Sequence, residues 1–117
     1  MKEVSAIPAG LFSVVTYPTS IGLRLAVSGE IDIATVDRLT AELDAALARR
    51  VPTIVVDLIG VTFMASAGVT ALLNAYRRAT ADGIPLVVTN CGSTVERVLE
   101  ITGVYKVLTG LEPGNRP

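Results

Sequence analysis

The 117-residue chain contains no histidine and no tryptophan, and it has a single cysteine, Cys91. Without histidine the chain cannot form a Ser-His-Asp or Cys-His catalytic group, and it cannot bind a metal through imidazole. A single thiol excludes an intrachain disulfide and a zinc site built from several cysteines. We therefore expect no catalytic residues, no cofactor and no metal, and we interpret the chain as a compact binding or switching module rather than an enzyme.

The charges are few and nearly balanced. Ten basic and eleven acidic residues give a net charge of -1, and only 4% of the residues are aromatic. Nucleic-acid binding depends on clustered lysine and arginine and often on base stacking, so we expect no nucleic-acid partner. No apolar run approaches the roughly 18 residues of a membrane span, and Glu3 argues against a signal peptide. The lone thiol fits a reducing compartment, so we expect a cytoplasmic protein without membrane insertion.

Hydrophobic periodicity divides the chain into strands and helices. Apolar and polar residues alternate over residues 22–28, which is typical of a strand with one buried face. Over residues 35–50 the apolar positions recur at helical spacing, and residues 53–58 form a nearly continuous apolar run typical of a buried central strand. The predicted strands are residues 11–17, 22–28, 53–58, 84–89 and 105–108, and the predicted helices are 35–50, 66–82 and one that starts with a capping box at 93–96 and stops at Gly103.

This order, β-β-α-β-α-β-α-β, predicts a single α/β domain with a mixed, mostly parallel sheet of four or five strands and at least three helices. The first two strands are expected to form an antiparallel hairpin, and residues 61–64 are expected to be a short apolar connector. We place the domain at residues 11–109, with a flexible arm at 1–10 and a flexible tail at 110–117.

Ser66 stands where the second predicted helix begins, at the carboxyl end of the central strand. Ligands of open α/β sheets tend to bind at that end. Ser66 is expected to be the N-cap, because its hydroxyl oxygen can accept a free backbone amide. The same amides and the helix dipole would stabilise a phosphate attached there. The residues alone favour the cap, with a phosphate acceptor as the alternative.

Three motifs in the right order resemble STAS domains, specifically bacterial anti-sigma factor antagonists. Residues 63–69 (Phe-Met-Ala-Ser-Ala-Gly-Val), which follow Val-Val-Asp-Leu at 55–58, are similar to the family's Phe-Met-Asp-Ser-Ser/Thr-Gly-Leu. Residues 29–32 (Gly-Glu-Ile-Asp) and 101–104 (Ile-Thr-Gly-Val) are similar to two further family motifs, and the spacing agrees across about residues 11–109. The chain departs from the pattern at Ala65 and Ala67, where the family usually has Asp and a second Ser or Thr.

The resemblance implies a switch controlled by phosphorylation. It implies that the unphosphorylated protein binds an anti-sigma factor, usually also a serine kinase, and so releases a sigma factor. Phosphorylation of Ser66 by that kinase would break the complex, and a serine phosphatase would restore it. The expected partner surface includes the exposed side of the second helix and these residues: Glu30, Ile31, Asp32, Ile33, Ala65, Ala67, Gly68 and Val69.

Two other functions remain open at the level of sequence. The chain is alternatively a STAS scaffold or accessory subunit, such as a stressosome-like component or the partner of a lipid-transport ATPase, in which Ser66 is only a cap. A small enzyme that uses Ser66 is the weakest hypothesis, because no histidine is present and neither Lys2 nor Lys106 is near Ser66 in sequence.

Four other polar residues each have a structural and a functional interpretation. Glu30 and Asp32 either contact a partner or form a solvated loop in which Asp32 helps to start the first helix. Asp57 is expected to be a hydrogen-bond acceptor in a buried loop rather than an acid catalyst. Cys91 is expected to be a small packed residue, with a redox-active thiol as the alternative.

Overall fold

The structure is a computed structural model that describes residues 11–110. Its elements are β1 (Ser13–Thr19), β2 (Gly22–Ile31), α1 (Val36–Ala48), β3 (Thr53–Met64), α2 (Ser66–Ala81), β4 (Leu86–Thr89), α3 (Ser93–Ile101) and α4 (Tyr105–Thr109). The strands form one sheet in the order β1-β2-β3-β4. β1 is antiparallel to β2, and the other pairs are parallel. The α/β class, the mixed sheet and the order of elements through α3 are confirmed.

The hairpin of β1 and β2 follows the predicted alternation. Leu23, Leu25 and Val27 of β2 are buried, and the residues between them are only half-buried. Gly29 of the same strand has a φ of +89°, and a β-carbon there would lie 2.6 Å from the carbonyl oxygen of Leu11. The backbone conformation and this close approach both require glycine at that position.

β3 is longer than the sequence indicated. Residues 61–64 belong to this strand, so the predicted connector is wrong. The cause is a pair of bulges: Leu58 and Ile59 both stand opposite Val27, and Thr62 is an extra residue between Val61 and Phe63. Each bulge changes which residues face the core, so the buried residues of this stretch are no longer two apart.

Helices α1 and α2 contact each other, and both contact the sheet. Leu39, Leu43 and Leu47 of α1 are buried as predicted. The helical spacing of residues 66–82 predicts an apolar stripe on α2 made of Val69, Leu72, Leu73 and Tyr76. Val69 and Leu72 are buried, and Leu73 and Tyr76 are half-buried.

The end of the described chain differs from the prediction in two ways. Gly92 is the N-cap of α3 and no side chain caps this helix, so the predicted capping box of Ser93 is wrong. Residues 105–108 belong to α4 rather than to an edge strand. A short apolar run fits either structure, and here the helix is favoured because it buries Leu108 completely. The predicted arm, and the predicted tail after Gly110, lie outside the described residues.

Candidate functional site

The carboxyl ends of β2 and β3 bring the two main motifs together. Ile31 pairs with Met64 in the last register position of the two strands. The ladder then continues by one bond, because the Ala65 amide donates to the Ile31 carbonyl at 2.8 Å. Asp32 directly follows Ile31 and Ser66 directly follows Ala65, so both residues lie at the carboxyl end of these two strands.

Ser66 is the first residue of α2 and is exposed. The N-cap is Ala65, which has extended backbone angles and whose carbonyl accepts the amide of Gly68 at 2.9 Å. The prediction that Ser66 itself is the N-cap is therefore wrong by one residue. No side chain caps the helix, so the amides at the start of α2 form a positive end without a side-chain acceptor.

Gly68 allows α2 to pack closely against the sheet. A β-carbon at this position would lie 2.6 Å from Ile31 Cγ2 and 3.1 Å from Met64 Cγ. Ile31 is fully buried, and Gly68 and Val69 are buried as well. The structure thus corrects the predicted partner surface, because the side chains of Ile31 and Val69 are in the core. The close approach of Gly68 to Ile31 and Met64 holds the start of α2 against β2 and β3.

The turn between β2 and α1 is fixed by its own hydrogen bonds. Asp32 Oδ1 accepts the amides of Ala34 at 2.9 Å and Thr35 at 3.1 Å. The Thr35 hydroxyl donates to the Glu30 carbonyl at 2.8 Å and accepts the Asp32 amide at 2.9 Å. Asp32 therefore helps to start α1, as the structural interpretation predicted. Thr35 was not identified from the sequence as a residue of the site.

Two large apolar side chains are exposed on the segments that adjoin this end of the sheet. Ile33 is 82% exposed at the turn, and Phe63 is 47% exposed opposite Glu30 on the neighbouring strand. Phe63 was not predicted as a surface residue, although it lies in the motif, because exposure depends on the second bulge. We call the following residues the signature surface: Glu30, Asp32, Ile33, Phe63, Ala65, Ser66 and Ala67.

Asp57 stabilises the first bulge of β3. Its side chain is buried, and it forms an ion pair with Arg24 of β2. Its Oδ1 accepts the amide of Ile59 at 3.0 Å, which lies in the bulge and is displaced from regular pairing. The prediction of a hydrogen-bond acceptor is confirmed, although Asp57 lies within a strand and not in a loop.

Cys91 is half-buried where β4 leads to α3. Burial raises the pKa of its thiol, and the negative charges of Glu96 and Asp57 raise it further. A raised pKa keeps the thiol protonated and weakly nucleophilic at neutral pH, which favours the packed interpretation. Among residues 11–110 there is no group of three or more His, Cys, Asp or Glu side chains placed to hold a metal ion.

None of the helices over residues 11–110 has both the length and the apolar character needed to cross a membrane.

Known proteins resemble this chain over most of its length. The chain is 31% identical over 87 residues to the anti-sigma F factor antagonist of Paenibacillus polymyxa, and the match covers 74% of each protein. Its fold matches the crystal structure of an anti-sigma factor antagonist from Mycobacterium paratuberculosis with a TM-score of 0.74 and 26% identity, over 87% of this chain and 86% of the other. It matches the anti-sigma factor antagonist SpoIIAA in its unphosphorylated form with a TM-score of 0.68 and 25% identity, over 81% and 83% of the two chains. Residues 18–110 match the family model described as "Mlab, STAS domain", and the chain therefore belongs to the STAS domain family.

Proposed function

We propose that this protein is an anti-sigma factor antagonist that binds its anti-sigma factor through the signature surface and is switched off by phosphorylation of Ser66. The similarity to anti-sigma factor antagonists supports this function. The observation that carries it is the position of Ser66, exposed on the first turn of α2 at the end of the sheet where the turn with the exposed Ile33 also begins. The partner in this proposal is an anti-sigma factor that is also a serine kinase, and both act in the cytoplasm with a serine phosphatase.

The Ser66 hydroxyl is open to a kinase. The residue is exposed, it does not cap the helix, and its neighbours are the small residues Ala65 and Ala67. In the family pattern an aspartate stands at the position of Ala65, which is the N-cap here. The alanine side chain has no hydrogen-bond acceptor, so the N-cap residue brings no carboxylate that would compete for the first amides of α2.

Phosphorylation would favour the free protein over the complex. A phosphate adds a charge of about -1.5 to -2. In the free protein, water and the first amides of α2 solvate that charge. In a complex that covers Ile33 and Phe63, the phosphate would lose water within a partly apolar contact, which is costly. This mechanism acts through the added charge and does not depend on a movement of the backbone.

The first test is the intact mass of the protein after incubation with ATP, magnesium and the candidate anti-sigma factor kinase. We expect a gain of one phosphate that is lost in Ser66→Ala. Ser93→Ala is the matched control, because Ser93 is also an exposed serine at the first position of a helix. A phosphate that persists in Ser66→Ala, or that disappears in Ser93→Ala, contradicts the assignment of Ser66.

The second test is binding to the same anti-sigma factor by calorimetry. Ser66→Ala should bind like the unmodified protein, and Ser66→Glu should bind much more weakly because it places a carboxylate in the contact. Equal affinities of the two variants would exclude a charge-based switch at this residue.

An accessory subunit with the same fold is the second candidate. The departures at Ala65 and Ala67 favour it, since both replace polar residues of the family pattern beside the serine. Its expected result is a stable complex with no phosphate gain. Co-purification with a membrane ATPase instead of a small kinase would identify the lipid-transport version of this function.

A further inference from the structure

Ile33 is the most exposed of the large apolar side chains in residues 11–110, at 82%. It lies only two residues beyond Ile31, which is completely buried. Single apolar residues on a surface are common and need no special explanation. Ile33 differs from such residues because of the turn that holds it and the residues that surround it.

The turn presents Ile33 in a fixed position. The Asp32 carboxylate holds the two amides that follow Ile33, those of Ala34 and Thr35. The Thr35 hydroxyl closes the turn on the other side by its bond to the Glu30 carbonyl. A side chain on a backbone that is already ordered loses less conformational entropy when it enters a partner. The hydrogen bonds therefore hold the backbone of Ile33 in one conformation while its side chain remains exposed to solvent.

The surroundings of Ile33 combine apolar area with negative charge. Phe63 is the cross-strand neighbour of Glu30, so a second exposed apolar side chain lies at the same sheet edge. Residues 30–38 contain three carboxylates and one guanidinium. That guanidinium, of Arg38, lies 5.0 Å from the ring centroid of Phe12. Glu30 and Asp37 are exposed, which gives the flanks of the turn a negative potential.

We propose that Ile33 is the apolar anchor of the complex with the anti-sigma factor, and that it enters an apolar pocket with basic side chains on its rim facing Glu30 and Asp37. The proposal rests on the proposed function and adds the chemistry of the partner. The choice of partner follows from continuity with Ser66, since the ladder bond from Ala65 to Ile31 places the turn and the helix start at one edge. The acidic flanks require a complementary basic rim.

The test measures the affinity of purified variants for each anti-sigma factor kinase of the source organism, one at a time. Ile33→Ala should raise the Kd by roughly 30-fold or more, which is the loss of affinity that defines a hot-spot residue. Ile101→Ala is the matched control, because Ile101 is 75% exposed at the end of α3, and it should change the Kd by less than about twofold. Thermal unfolding should be the same for both variants, since neither side chain packs in the core.

The outcomes separate this proposal from the proposed function. If the unmodified protein binds and Ser66→Glu does not, but Ile33→Ala binds normally, the proposal that Ile33 is the anchor is wrong. The proposed function is then still supported. If the unmodified protein binds none of the anti-sigma factors, the function fails and the anchor fails with it. Glu30→Gln should slow association at low salt and have little effect at high salt. If Glu30→Gln does not change the association rate, the proposal of basic side chains on the rim of the partner's pocket is wrong.

Discussion

Replacement of Gly68 by alanine tests how firmly the start of α2 is held against β2. The new β-carbon would lie 2.6 Å from Ile31 Cγ2 and 3.1 Å from Met64 Cγ. Overpacking of a core costs about 1–3 kcal/mol, and the upper half of that range applies because Ile31 is branched and fully buried. The better helix propensity of alanine returns about 1 kcal/mol. We expect a net loss of about 1–2 kcal/mol in the free energy of unfolding.

Thermal and urea unfolding measure this loss, which corresponds to a decrease of roughly 4–10 °C in Tm. Gly92→Ala is the control for a glycine replaced without a clash, because Gly92 has a φ of -70° and a β-carbon there meets no atom within 4 Å. Its only expected cost is that of alanine in place of glycine at an N-cap, and this cost should be the same in the Ile31→Ala background. In an Ile31→Ala background, Gly68→Ala should cost much less, since the clashing methyl group is gone. If Gly68→Ala is as stable as the unmodified protein, or costs the same in both backgrounds, the close packing of α2 does not depend on this glycine.

Two further predictions concern the buried Asp57 and the half-buried Cys91, which lie outside the signature surface. Asp57→Ala should lower the free energy of unfolding by about 2–3 kcal/mol, because the Ile59 amide loses its acceptor and Arg24, which is partly exposed, loses its partner; an unchanged urea midpoint would contradict this role. Cys91 should react with iodoacetamide more slowly at neutral pH in the folded protein than in the urea-unfolded chain, and its rate should rise as the pH passes through the raised pKa of the thiol. Since the pKa is higher in the folded state, the protonated thiol contributes its full stability at neutral pH, and that contribution falls as the pH rises above the ordinary thiol pKa. Equal labelling rates in the two states would contradict the burial of Cys91.

The sequence predicted the elements whose periodicity is regular. The alternation of β2 and the helical spacing of α1 correspond to the observed buried faces. The second half of β3 was missed because its two bulges break the period of two, and bulges have no clear sequence signal here. The predicted strand at residues 105–108 failed because a four-residue apolar run does not distinguish a strand from one helical turn.

The motifs indicated where the candidate site lies in the sequence, but they did not indicate which of its side chains are exposed. Ile31 and Ile33 are the same residue type two positions apart, and alternation would place them on the same face. One is fully buried and the other is 82% exposed, because β2 ends between them and the turn begins. The position of Ser66 was wrong by one residue because the N-cap is set by the extended backbone of Ala65, and a capping side chain such as serine is only a preference.

The ladder bond between Ala65 and Ile31 has a consequence for engineering. It joins the residues before Ser66 directly to the strand that leads into the Asp32–Thr35 turn, with no intervening loop on either side. Under the proposed function, partner choice in a related domain should therefore be transferable by grafting residues 30–35 and 65–70 together. Either segment grafted alone would lie next to a segment of the other protein. The hybrid surface should then bind the partner of neither protein.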